Sequence, residues 1–198
     1  MLDCAPVMPL RVLVLYAHPS HDRSRANRAL RAAIEDLSGV TLHDLYECYP
    51  DFFIDVRREQ RLVEEHDVLV FQHPMHWYSV PSLLKEWQDA VLAAGWAYGE
   101  GGERLHGKHF MQALTTGAHA ASYRHGGRAH FEIGELLRPL EQMAHYCGMR
   151  CLPPFVTHAA RLVEEPAIEA QAARYRALIA SLAAGELPAS YDTIPPAE

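Results

Sequence analysis

The stretch DVLVFQHPMHWYSVPSLLKEW (Asp67 to Trp87) changes pattern twice. It opens with Val68, Leu69, Val70 and Phe71, a continuous apolar run of the kind that a strand buried on both faces produces. From Pro81 to about Ala94 the apolar residues Leu83, Leu84, Trp87 and Val91 share one face of a helix. Pro81 stands near the first turn of that helix, where a missing N–H costs nothing. Between strand and helix come His73, Pro74, Met75, His76, Trp77 and Tyr78, where a plain connection would be polar and glycine-rich.

Working outward, the same alternation recurs. RVLVLYA (Arg11 to Ala17) reads as a buried strand, followed by a helix over 24–37 with Ser24 as its N-cap. GVTLHDL (Gly39 to Leu45) alternates as a strand, YECYPDFFID (Tyr46 to Asp55) is aromatic and irregular, and a helix spans about 56–65. A glycine-rich segment, 95–107, leads to the strand KHFMQALTT (Lys108 to Thr116). A helix over 132–147 follows, and Pro139 should kink it or mark its true start. The fifth strand, 149–156, is open to a break at Pro153 and Pro154, and a last helix over 166–184 stops at Gly185. Five alternations of strand and helix call for a parallel sheet covered on both faces. The 198 residues suit one domain with peripheral tails at 1–9 and 186–198.

Bulk properties exclude several functions. The formal charge of −7 argues against a nucleic-acid binder, which needs a basic face. No apolar run reaches membrane-spanning length, and the first nine residues lack the pattern of a signal peptide. Cys4, Cys48, Cys147 and Cys151 form no CxxC pair, so reduced thiols in a cytoplasm are the simplest reading. HYCGMRC (His145 to Cys151) with His158 beyond it fits no usual zinc spacing, and no metal is expected. Arg23, Arg25, Arg28 and Arg31 cluster after the first strand, which suits either a solvated helix face or a site for an anion.

Open parallel sheets bind ligands outside the carboxyl ends of their strands. Three unusual loops occupy such ends: HPSHDRSRAN after strand one, HPMHWYS after strand three and TTGAHAASY after strand four. In a flavodoxin-like three-layer α/β sandwich, with a five-stranded sheet of order 2-1-3-4-5, those strands are neighbours and the loops converge. The first loop has neither the GxGxxG nor the GxxxxGK[ST] spacing, yet it opens a helix N-terminus with Ser24, Arg25 and Asn27, a place for a phosphate. Trp77 and Tyr78 suit either the wall of a planar ring or a buried aromatic pair. Thr115, Thr116, Gly117 and Ala118 offer hydroxyls and approachable backbone N–H groups. A phosphate at the first loop and a ring between the other two describe flavin mononucleotide.

The blocks LYAHP, ANRAL, DLYECYPDFFID, FQHPMHWYSVPSLLKEW, GWAYG, LHGKH, TTG, HFEIG and CGMRCLPPF, in that order, resemble the flavodoxin-like NAD(P)H:quinone oxidoreductases. The resemblance runs from Arg11 to about Arg161 and is strongest to the ancillary subunits of glutathione-gated Kef potassium-efflux systems. It implies FMN, with FAD less expected, held at a homodimer interface. By position it assigns flavin contacts to His18, Ser24, Arg25, Ala26, Asn27, Met75, His76, Trp77, Tyr78, Thr115, Thr116, Gly117 and Ala118. The family often has a second glycine at Ala118, so a positive φ there would be strained. The loop from His119 to His130 departs from the family pattern; Tyr123 and His130 are the catalytic candidates in it. GWAYG (Gly95 to Gly99) would form a substrate wall or dimer contact. The implied reaction moves hydride from NAD(P)H through flavin to a quinone. The rival reading is a regulatory subunit docked on a Kef-type channel, with flavin structural or absent.

Overall fold

The computed structural model describes residues 8–188. Its sheet runs β2 (Val40–Asp44), β1 (Val12–Tyr16), β3 (Val68–Pro74), β4 (His109–Thr115), then β5 (Arg150–Cys151), and β6 (Phe155–Thr157) also pairs with β4. Every pairing is parallel. The expected flavodoxin-like order 2-1-3-4-5 is therefore the observed one. The fifth strand is split at Pro153 and Pro154 into two short pieces, both on β4.

Alternate residues of the central strands supply two cores, which is why each strand reads as an unbroken apolar run. On one face Leu13, Leu15, Leu69, Phe71 and Phe110 pack beneath α2 (Leu45–Cys48), α3 (Val56–Glu64), α4 (Ser82–Val91) and α5 (Ile133–Tyr146). On the other, Val12, Val14, Val70 and Met111 meet Leu30 of α1 (Ala26–Ala32) and Tyr175 and Ile179 of α6 (Glu165–Ala183). Two acidic residues, Glu59 and Glu141 of α5, are buried. Glu59 is fully buried and accepts from His43 Nε2 at 2.9 Å, Tyr49 OH at 2.5 Å and Trp87 Nε1 at 2.8 Å. Burial alone would raise its pKa, but those donors outweigh it and hold the carboxyl below its ordinary value.

Several boundaries differ from the sequence reading. Ser24 does not cap α1: a 3-10 turn over His21–Arg23 closes with Ser24 N–H on His21 O, and the helix starts at Ala26 with Arg25 in the N-cap position. That helix ends at Ala32, well before Leu37. The aromatic stretch holds the short helix α2, capped by Asp44, which accepts from the N–H groups of Tyr46 and Glu47. β3 extends through His73 and Pro74, so His73 is a strand residue, 1% exposed. Pro139 lies inside α5, whose start is fixed by a capping box between Glu132 and Glu135. Of the expected tails, 1–9 and 186–198, residues 1–7 and 189–198 lie outside the described residues.

Candidate functional site

The loops after β1, β3 and β4 meet at the carboxyl edge of the sheet and enclose a cleft of about 780 Å³. That lies in the range of about 300–1,000 Å³ typical of small-molecule sites. His18, Ser24, Arg25 and Ala26 line it from the first loop, Met75 and His76 from the second, and Thr115, Thr116 and Gly117 from the third.

A buried polar chain anchors these loops to the sheet. Tyr175 OH donates to Gln72 Oε1 at 3.1 Å, Gln72 Nε2 to Asn27 O at 3.2 Å, and Asn27 Nδ2 to Thr115 Oγ1 at 2.7 Å. Asn27 is 1% exposed, so its amide positions the α1 end rather than lining the cleft. In the first loop Ser20 N–H donates to His18 Nδ1 at 3.1 Å, which leaves the ring proton on Nε2. Burial, with the nearby His76 and His21, pushes His18 down to about 4, so it is neutral near pH 7. Arg25 is held by Val163 O at 3.2 Å and Glu165 at 2.8 Å. α1 has only seven residues, so attraction for an anion rests on the arginines more than on its dipole.

The second loop is a two-residue hairpin. His76 and Ser79 exchange backbone hydrogen bonds at 3.0 and 2.9 Å, and Trp77 and Tyr78 take φ of 49° and 63°. Two left-handed residues in succession are the demand of a type I′ turn, normally met by Asn and Gly. Two bulky aromatics there store strain, which clusters at ligand sites. Trp77 is 94% exposed at the tip, and Tyr78 is half exposed, so the buried-pair alternative does not hold. In the third loop Ala118 is not left-handed, so its Cβ brings no strain. The N–H groups of Gly117 and Ala118 have no hydrogen-bond partner among the described residues.

A second cleft, about 650 Å³, runs between α4 and α5. Val80, Leu92, Leu136, Leu140 and Met143 make its walls, with Tyr98 and Tyr146 in contact at 5.2 Å between ring centroids. Tyr78 faces this cleft, and Met75 lines both. Beneath it His73 Nδ1 donates to Pro74 O at 3.1 Å, while His73 Nε2 and Gln112 Oε1 are buried without partners. Burial pushes His73 down to about 4.

Tyr123 and His130 line neither cleft. His130 is exposed with φ of 63°, and the Tyr123 ring leans on His158 at 5.5 Å. Sequence reasoning passed over Arg161 and Ala160, which line the polar cleft from the segment after β6. The signal was available: that segment also leaves the carboxyl edge of the sheet. No cluster of three or more metal-ligating side chains occurs among the described residues.

Comparison with known proteins agrees with the fold. The chain is 46% identical over 171 residues to the glutathione-regulated potassium-efflux system ancillary protein KefG of Enterobacter sp. (strain 638), covering 86% of this chain and 93% of that one. It is similar to the crystal structure of general stress protein 14 from Treponema denticola in complex with FMN, with 40% identity, TM-score 0.82, and 87% and 99% of the two chains covered. An NADPH-quinone reductase from P. pentosaceus superposes with TM-score 0.77 at 32% identity over 84% of this chain and 96% of that one. The flavodoxin-like fold family matches residues 10–179, and the chain belongs to it, alongside quinone reductases and the Kef ancillary protein.

Proposed function

We propose that the chain is an FMN-dependent NAD(P)H:quinone oxidoreductase working as a homodimer. The observation that carries this reading is the cleft at the carboxyl edge, lined by Arg23, Arg25 and Arg161 and by Gly117, whose amide has no partner among the described residues. Arg23, Arg25 and Arg161 would hold the phosphate, and His18 Nε2–H is available to a polar group. FMN rather than FAD is supported by the Treponema denticola relative. FMN held there would supply the two-electron chemistry for hydride exchange between NAD(P)H and a quinone, in the two half-reactions of a ping-pong cycle. The amides of Gly117 and Ala118 would face the negative charge that accompanies reduction. Met75 and the Trp77–Tyr78 hairpin would border the ring and exclude water from one side. Tyr123 remains a candidate proton donor to the acceptor, and His130 a weaker one given its exposure. The apolar cleft between α4 and α5, open in a single chain, supports a second copy as its cover.

The test is a visible spectrum of protein incubated with FMN and desalted, recorded before and after anaerobic NADPH or NADH and again after quinone. Retained flavin that bleaches and then recovers is the expected result. Absence of retained flavin in folded protein would overturn the reading.

The identity with KefG favours a second role, which can coexist with the first: an ancillary subunit of a Kef-type potassium-efflux channel, peripheral at the inner membrane. No helix among the described residues is long and apolar enough to cross a membrane. Copurification with a channel would support this role.

A further inference from the structure

The turn after β4 is pinned at Thr116 and at the Ala118 carbonyl. Thr116 N–H donates to Thr157 O at 2.9 Å, Ala160 N–H to Thr116 O at 2.9 Å, and Ala159 N–H to Ala118 O at 2.9 Å. The Thr116 hydroxyl donates to that same Ala118 oxygen at 2.9 Å. His158 Nδ1 lies 3.0 Å from Thr116 Oγ1. A threonine hydroxyl has one hydrogen, and here it is committed to Ala118 O, so His158 must be the donor through Nδ1–H. The ring proton is therefore on Nδ1, and Nε2 keeps a lone pair. The next residue, Ala159, is 2% exposed and left-handed at φ 55°, a conformation that local strain makes unlikely without surrounding constraint. Within the turn the N–H groups of Gly117 and Ala118 and the Gly117 carbonyl are left without a partner among the described residues.

We propose that His158 is a positioning residue for the ligand-facing amides of the third loop. Its Nδ1–H holds the Thr116 hydroxyl on Ala118 O, and this fixes the peptide groups between them with their N–H bonds available to the ligand. The proposal rests on the flavin reading for the ligand, though not for the pinning itself. Fixed donors favour the form of the ligand that carries more negative charge, here the reduced ring, over the oxidised one. His158 thus sets the balance between the two oxidation states and leaves oxidised FMN affinity nearly unchanged.

Two substitutions separate donor from ring. His158→Asn keeps an N–H near the Nδ1 position, whereas His158→Phe keeps a ring against Tyr123 and removes the donor. In protein without FMN, exchange of the bonded amides of Thr116, Ala159 and Ala160 should accelerate in His158→Phe and stay slow in His158→Asn. Nitrogen NMR of wild-type His158 should show the Nδ1–H tautomer. With FMN bound, His158→Phe should lose about tenfold in preference for reduced over oxidised flavin, equivalent to about 30 mV for a two-electron couple. His158→Asn should recover most of that, and Thr116→Val combined with His158→Phe should add little to either alone. The Nε2–H tautomer, or a Phe variant with wild-type exchange and potential, overturns the proposal. So does an Asn variant that behaves like Phe. If wild-type protein takes up no FMN, the flavin reading falls, while tautomer and exchange still decide whether His158 pins the turn.

Discussion

The two clefts share Met75 and stand on either side of the β3 tip, yet their chemistry is opposite. The one beside α1 gathers arginines, histidines and free amides. The one between α4 and α5 gathers leucine, methionine and tyrosine. A single strand makes both because side chains alternate across the sheet while the loop at its end belongs to neither face. A ligand with an anionic tail and a flat apolar body needs surfaces of both kinds. The strained hairpin, His76 to Ser79, is where one gives way to the other.

The largest expected effect separates the two clefts through stability. Glu59→Ala strands three buried donors behind α4, which forms a wall of the apolar cleft. The loss should be about 3–5 kcal/mol in a denaturation curve. FMN affinity of the folded fraction should hold, because nothing in the polar cleft touches Glu59; a parallel loss of affinity would mean the clefts are one unit.

Next comes pH. The pKa of His73 is held down to about 4 by burial, against an ordinary value near 6.5. Between those values the unfolded chain takes up a proton that the folded chain refuses. Stability present above about pH 6.5 therefore falls as pH drops toward 4, by on the order of 3 kcal/mol from this residue. His73→Phe should flatten that slope in urea midpoints taken across the window. Addition of FMN should change the contribution of His18 in the polar cleft and leave that of His73 alone; the reverse would exchange their roles.

Trp77→Gly acts at the boundary itself. Glycine relieves the left-handed strain, so stability should hold or rise by up to about 1 kcal/mol. FMN should bind about tenfold more weakly if the indole borders the ring. Unchanged flavin occupancy would remove Trp77 from the site. The smallest effect is expected from Arg161→Ala, an exposed cation on the polar cleft: about threefold in FMN dissociation constant, vanishing at high salt. A salt-independent loss would point to a contact other than charge.

Most of the fold is legible in the sequence because strands buried on both faces leave unbroken apolar runs, as in Val12 to Tyr16 and Val68 to Phe71. The convergence of three loops follows from strand order alone. What escaped were features without a period. The helix Leu45–Cys48 is too short for a stripe and depends on the Asp44 cap. The hairpin at Trp77 and Tyr78 contradicts the usual residue preference of its turn, so composition points away from it. The hydrogen bond between His158 and Thr116 spans 42 positions, and no local pattern announces a partner that far away.

The break between β5 and β6 has a bearing on how crowded copies of this chain behave. The outer margin beside β4 is a two-residue strand, Arg150–Cys151, then Leu152, Pro153 and Pro154, then the three residues Phe155–Thr157. Prolines offer no N–H, and neither short piece gives a foreign strand a run long enough to zip onto. On this flank the proline pair denies a foreign chain a continuous template while β4 keeps its partners; the other edge of the sheet is the five-residue strand β2.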